Sequence, residues 1–318
     1  MTITQLKYVL AVAENKNFTK AAEKVFVTQP TLSMQIQKLE DELDILIFDR
    51  GKKPIELTEV GKKIVDQARN IVNEASRISD IVDQQKGFIG GNFKLGVIPT
   101  VMPTLLPMFL KSFIKKHPKV KLKIEELPTE TILEKLEEGH LDAAIAATPL
   151  HVDQIIERPL YYEPFVAYIP QNHRLYKKTG LTSADLDLND MLLLEDGHCF
   201  RDGVINLCKA YKKEEDDNFS LESGSFETLI RLANEGLGMT LLPYLHTLEL
   251  KEIEKKYLHH FDKPAPAREV SLLYRKSGLK IQIIEALRTT IAGLIKGAIT
   301  FQNVDIISPR LEKKTDKL

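Results

Sequence analysis

The sequence predicts a mixed α/β fold behind a small all-helical N-terminal domain, the two joined by one long helix. Three observations predict it. Up to about residue 57 the apolar residues recur at helical spacing. From 58 to 86 a seven-residue repeat runs without a proline. From Phe93 onward short apolar runs alternate with helical patterns, the signature of an α/β sheet.

In the first region Leu6, Val9, Leu10, Val12 and Ala13 share a helix face. Asn17-Phe18-Thr19 reads as a stop and restart, with Thr19 the expected N-cap of a helix over 20–25. Thr28-Gln29-Pro30 opens a third helix, with Pro30 in its first turn and Leu32, Ile36, Leu39 and Leu43 on one face. Two helices joined by a short turn, the second opening on small polar residues, make a helix-turn-helix pattern. Gly51, Lys52, Lys53 and Pro54 then predict a basic turn, or wing. Along the long helix Leu57, Ile64, Ile71 and Ile78 repeat every seven residues, with Gly61, Ala68, Ala75 and Val82 at the offset positions. That seam fits a helix packed on its own domain or one that pairs two subunits, and its length favours pairing. Gly87 to Asn92 reads as a hinge.

Beyond the hinge, strands are expected over 93–98, 121–126, 143–147, 165–169, 191–194 and 271–274, and helices over 104–117, 131–139, 226–235 and 281–296. Such a sheet binds ligands at the C-terminal ends of its strands. The polar, basic tail over 301–318 is expected to be disordered.

The net charge of −1 over 318 residues gives no global case for nucleic-acid binding. Locally, Lys7, Lys16, Lys20, Lys24 and Lys38 outnumber Glu14 and Glu23 across residues 1–38. Gln29, Thr31 and Ser33, beside Pro30, stand where a recognition helix meets base edges, and Arg50, Lys52 and Lys53 stand where a wing meets phosphate or the minor groove. No apolar run approaches the ~18 residues of a membrane span, and no secretory core opens the chain, so a cytoplasmic protein is expected. No phosphate loop, nucleophile elbow or HExxH occurs. His259 and His260 are adjacent and point apart, so neither a metal site nor a cofactor is expected.

Phe18-Thr19-Lys20-Ala21-Ala22, Gln29-Pro30-Thr31-Leu32-Ser33-Met34-Gln35-Ile36, Leu39-Glu40, Phe48-Asp49-Arg50 and Leu57-Thr58-Glu59-Val60-Gly61 stand at fixed spacing. On these residues the chain resembles the LysR-type transcriptional regulators along essentially its whole length. Asp44 and Ile47 replace the usual glycine and leucine. The resemblance implies a winged helix-turn-helix over 1–57 and a linker helix and hinge over 58–91. It also implies a two-lobed, periplasmic-binding-protein-like effector domain over 92–300. Lobe I would take 92–162 and 267–300, and lobe II 163–266.

The only two cysteines, Cys199 and Cys208, lie in one short segment. If Cys199 opens a helix after the turn at Asp196-Gly197, the helix dipole favours its thiolate. His198 and Arg201 add to that, Glu195, Asp196 and Asp202 oppose it, and a thiolate-prone Cys199 is the expectation. If 200–211 is helical, the cysteines sit about 13 Å apart along the axis at ~1.5 Å per residue. A bond between them then requires unwinding, because a disulfide needs Cα atoms within about 7 Å.

Gly197-His198-Cys199-Phe200-Arg201-Asp202 with Cys208 resembles the OxyR-type peroxide sensors of the same family. Gly96 to Val101, Leu105-Leu106-Pro107, Phe226 to Leu229 and Gly238 to Pro243 extend the match. Phe219 matches as well, while Asn218 replaces a histidine found in some relatives. The resemblance implies that Cys199 is peroxidatic and Cys208 resolving. It implies a peroxide pocket from Thr100, Thr129, His198, Arg201 and Asp202, with Arg268 close by. Thr100 and Thr104 also suit the capping of the helix near Pro103. The implied partners are operator DNA, hydrogen peroxide, further copies of the chain in a dimer of dimers, RNA polymerase and cellular thiol reductants, with no membrane. Two rivals remain: a regulator answering a small metabolite between the lobes, and a thiol peroxidase, for which residues 1–57 have no use.

Overall fold

The computed structural model describes residues 1–85, 89–208, 223–278, 280–299 and 303–310. The chain divides into two compact units between Phe88 and Ile89. Asn218, Phe219 and residues 209–211 lie outside the described residues.

The N-terminal unit comprises α1 (Ile3–Asn15), α2 (Phe18–Lys24), α3 (Gln29–Leu43), β1 (Phe48–Asp49), β2 (Glu56–Leu57) and α4 (Glu59–Gln85). Thr2 and Gln5 close a reciprocal capping box on α1. The cap of α2 is Asn17, not Thr19: its Oδ1 accepts from the Lys20 amide at 3.0 Å. The helix begins two residues early, and its first residue, Phe18, packs edge-on against Phe48. Thr28 caps α3 as its spacing suggests. Leu6, Val9, Val12, Ala21, Leu32, Ile36, Leu39, Ile47 and Phe48 close the core. Asp44 ends α3 at φ 52°, the left-handed conformation that the glycine usual at this place adopts freely. β1 and β2 pair antiparallel, Phe48 opposite Leu57, and carry the 50–55 wing.

The small positions of α4 do not all serve a second subunit. Val65 and Ala68 are buried in the core of their own unit. A β-carbon on Gly61 would lie 2.1 Å from the Ile47 carbonyl oxygen. Farther along the seam Ile78 is 67 % exposed, with Ile81 and Val82 also open. Gly61→Ala is therefore expected to destabilise the N-terminal unit by about 1–3 kcal/mol through forced backbone displacement. Hydrogen exchange of α1 amides reads the loss, and unchanged exchange would show that the contact is dispensable.

The C-terminal unit follows as β3 (Gly91–Val97), α5 (Met102–Lys116), β4 (Val120–Glu126), α6 (Thr129–Glu137), β5 (Ala143–Thr148), β6 (Ile155–Tyr168), α7 (Cys199–Leu207), α8 (Phe226–Asn234), β7 (Thr240–Pro243), α9 (Tyr244–Thr247), α10 (Glu252–Lys255), β8 (Leu258–His260), β9 (Ala265–Arg275), α11 (Ile281–Ile295) and β10 (Val304–Ile306). The strand order is β4-β3-β5-β9-β6-β7. β3 runs parallel to β4 and β5, and β9 runs antiparallel to β5 and β6. Two cores result. One gathers residues 93–161 and 270–295 around β3, β5, α5 and α11, and the other gathers residues 165–265 around β7, α7 and α8.

Three expectations are corrected. Residues 191–194 form no strand; a single bridge joins Met191 to Met239, because a 3-10 turn over Leu188–Asp190 and the turn at Asp196-Gly197 leave no length for pairing. β6 begins at Ile155, ten residues before the expected start, because Glu157, Arg158 and Glu163 interrupt its apolar pattern without breaking its pairing to β9. The tail is not wholly irregular: Val304, Asp305 and Ile306 pair in parallel with Ala265, Pro266 and Ala267. Among the described residues, no helix is long and apolar enough to cross a membrane.

Candidate functional site

The parallel strands β3 and β4 deliver the loops that precede α5 and α6. At these strand ends a cleft of about 90 Å³ opens, lined by Ile98, Pro99, Thr100, Pro128, Thr129 and residues 195–199. Cys199 is the first residue of α7, with His198 at the N-cap. The cysteine is 7 % exposed and its side chain packs into the first core. Cys208 caps the other end of α7 and packs into the second core. Both cysteines are free thiols.

A buried ion pair lies behind the cleft. Arg268 donates from Nε and Nη2 to Glu163 Oε2 at 2.9 and 2.7 Å. It also donates from Nη1 to the Thr100 hydroxyl at 2.8 Å and from Nη2 to the Thr100 carbonyl at 3.1 Å. Its guanidinium sits 5.2 Å from the Phe200 ring centroid. Glu163 Oε1 accepts from the Leu245 amide at 2.8 Å. Thr100 is thus an acceptor for Arg268 and not a helix cap; the N-cap of α5 is Val101, and the Thr104 hydroxyl donates to the Val101 carbonyl. The Thr129 hydroxyl oxygen is buried without a full hydrogen bond and lies beside the Cys199 sulfur. The buried Tyr161 hydroxyl likewise lacks a partner.

These surroundings correct the expected thiolate. Burial pushes the Cys199 thiol above its ordinary value, and Asp202 adds to the shift. Arg268 opposes it most, followed by the Thr129 hydroxyl. The cation near the sulfur is therefore Arg268, 69 residues away in sequence and invisible to local reading. Arg201 is engaged elsewhere, with Asp196 at 2.8 Å and the Leu194 carbonyl at 3.1 Å. Burial raises the Asp202 carboxyl, with Arg201 opposing. Burial, helped by Asp187 and Asp190, pushes Cys208 up to about 12.

Thr100, Thr129, His198 and Cys199 thus converge on one cleft, with Arg268 bonded to Thr100. Arg201 and Asp202 do not line it. Glu163 and Tyr161 were not anticipated; a lone carboxylate inside the apolar run to Tyr168 was the available signal. The cleft has room for a molecule of a few heavy atoms beside the cysteine. Both ring nitrogens of His259 face carbonyls, Tyr257 at 3.1 Å and Tyr176 at 2.8 Å.

In the N-terminal unit Gln29, Pro30 and Thr31 are exposed at the start of α3, and Ser33 is half-buried. The Thr31 hydroxyl lies 2.8 Å from that of Thr28. Lys53 is exposed, and Lys52 pairs with Glu56 at 2.6 Å. Arg50 is exposed and also partnered within the unit. It pairs with the buried Glu40 at 2.8 Å, reaches Ser33 at 3.4 Å and stacks over Phe18. Glu40 in turn accepts from the amides of Ile47 and Phe48. Arg50 therefore braces the wing against α3. Two exposed apolar residues escaped sequence reasoning: Phe26, 94 % exposed at φ 58° in the turn before α3, and Met34, 61 % exposed on α3. Both look like core residues in an apolar pattern; only the turn position marks Phe26 out.

Comparison with known proteins matches residues 3–62 to the bacterial regulatory helix-turn-helix protein of the lysR family and residues 86–294 to the LysR substrate binding domain. The hydrogen peroxide-inducible genes activator of Pectobacterium carotovorum subsp. carotovorum is 35% identical over 93% of this chain and 98% of its own length. The DNA-binding transcriptional dual regulator OxyR of Escherichia coli K12 is 35% identical over 92% and 97%. A full-length OxyR mutant from Pseudomonas aeruginosa superimposes with a TM-score of 0.74 at 34% identity, covering 92% of this chain and 98% of that one. A hydrogen peroxide-bound OxyR mutant from Corynebacterium glutamicum gives 0.59 at 27% identity, covering 96% and 98%. The chain therefore belongs to the LysR family of DNA-binding transcriptional regulators, and within it to the OxyR type.

Proposed function

We propose that this protein is a cytoplasmic, peroxide-responsive transcriptional regulator that senses hydrogen peroxide through a reversible Cys199–Cys208 disulfide. The observation that carries the reading is the cleft itself. A cysteine lines about 90 Å³ of space between two threonines, one with its hydroxyl beside the sulfur, and a buried arginine lies behind it. A hydroxyl donates and accepts, as peroxide does. The names of the relatives point to the same oxidant.

In the first step Cys199 gives up its proton and its sulfur attacks one peroxide oxygen. The O–O bond breaks, and the leaving hydroxide takes up the proton as water, leaving Cys199 as a sulfenic acid. In the second step the Cys208 sulfur displaces the hydroxyl, releases a second water and closes the disulfide. The chain reaction is two thiols plus peroxide to disulfide plus two waters. Cellular thiol reductants reverse it. Each sulfur must leave a different core, so the bond and the repacking of α7 are coupled.

The exposed stretch of Ile78, Ile81 and Val82 suits pairing of α4 with a second copy, and a dimer of dimers then changes its spacing on operator DNA with redox state. Gln29, Pro30, Thr31 and Ser33 read the major groove, Lys52 and Lys53 contact the backbone, and RNA polymerase is the downstream partner.

Mass spectrometry after equimolar peroxide tests the reading. Wild type should carry the disulfide, Cys208→Ser should stop at the sulfenic acid, and Cys199→Ser should bind operator DNA without responding. A wild-type chain that stays fully reduced, or one that turns over peroxide at the rate of a peroxidase with thiol reductant, would overturn it.

A further inference from the structure

Residues 304–310 are built into the second end of the redox helix. β10 adds to the start of β9, and the Ile307 amide donates to the Ala267 carbonyl at 2.9 Å, one residue before Arg268. Ile307 packs on the second core and Pro309 is buried. The Asn206 side chain, on the last turn of α7, donates to the Ser308 carbonyl at 3.1 Å and the Arg310 carbonyl at 2.7 Å. Arg310 then donates to the Leu150 carbonyl at 3.1 Å and lies 3.5 Å from Glu130. Leu150 belongs to the first core, and Val204, Leu207 and Cys208 at the far end of α7 to the second. One strap therefore ties the Cys208 end of α7 to the opposite lobe.

We propose that this strap, through Asn206, is a positioning device that sets how fast Cys208 reaches oxidised Cys199. The inference rests on the disulfide reading above and adds a control point to it. The two reacting steps fall at opposite ends of α7. Peroxide meets Cys199 at the first turn, far from Asn206, so the first step leaves the strap untouched. The second step must bring Cα atoms about 13 Å apart along a helix to within about 7 Å. The last turn unwinds, and Asn206, two residues before Cys208, swings away from both carbonyls. Those two hydrogen bonds break on the way to the disulfide and oppose it. The strap thereby holds the sensor at the sulfenic acid, where a brief exposure can be reversed by thiol before the fold changes.

The test uses the full-length chain, Asn206→Ala, and a chain ending at Ile307, which keeps β10 and removes both acceptor carbonyls. The first step is followed as loss of the Cys199 thiol in a Cys208→Ser background, the second as appearance of the disulfide after rapid quenching. Both variants should close the disulfide about five- to tenfold faster than wild type, the factor for losing about one net hydrogen bond, with the first step unchanged. Hydrogen exchange over 204–208 in the reduced protein should speed up in both. Equal disulfide rates in all three chains overturn the strap while leaving the disulfide reading intact. A wild-type chain that forms no disulfide overturns that reading and the rate claim with it.

Discussion

Arg268→Ala is expected to destabilise the C-terminal unit by about 3–5 kcal/mol, the penalty for stranding a buried charge. Its partner Glu163 is fully buried and takes two of its hydrogen bonds from Arg268, keeping only the Leu245 amide. Thr100 loses both of its guanidinium bonds, so the wall of the cleft slackens as well. The substitution also removes the strongest influence holding the Cys199 thiol down, so oxidation at neutral pH should slow. Hydrogen exchange at β9 amides measures the first effect and peroxide-driven loss of the Cys199 thiol the second. Arg268→Met combined with Glu163→Gln separates them. It removes the stranded charge and should recover much of the stability, but not the rate. A double variant that oxidises like wild type would show that Arg268 holds the wall and nothing more.

That test concerns a residue which sequence reasoning tied to the site only by resemblance, and the reason is physical. The first residue of α7, the Thr28 cap of α3 and the buried strand β5 are legible because each depends on neighbours in sequence. The ion pair of Arg268 with Glu163 joins the facing strands β9 and β6 across 105 residues, and only their register puts the two side chains together. Resemblance marked Thr129, which lines the cleft, and also Arg201 and Asp202, which do not; Arg201 pairs with Asp196. Arg50 shows the same limit in the N-terminal unit. A basic residue on a wing suggests phosphate, and its pairing with the buried Glu40 of α3 was not legible beside that. Residues 304–310 look like a solvated tail because three-residue strands carry no periodicity, and their order depends on a strand edge supplied by β9.

The rate of Cys199 oxidation should climb steadily with pH through neutrality, with no plateau there. The thiolate is the nucleophile, and its fraction grows in proportion to hydroxide as long as the pH lies below the thiol pKa. Sequence neighbours argue for a low value, since α7 offers its N-terminus and His198 and Arg201 flank the sulfur. Burial decides otherwise: it pushes the Cys199 thiol above its ordinary value, despite Arg268 and Thr129. The linkage has a definite sign. A thiol whose folded value is raised stabilises the fold below its unfolded pKa, and that contribution is lost as pH rises through the folded value. With Cys208 at about 12, stability should therefore fall above pH 9 as both thiols are forced to ionise. A Cys208→Ser chain isolates the first thiol, with iodoacetamide modification and peroxide oxidation followed in parallel across the range. Both curves should rise together, and Arg268→Ala should displace both toward higher pH. A rate already constant above pH 6.5 would mean that the helix dipole and the buried cation outweigh desolvation, and that Cys199 rests as a thiolate after all.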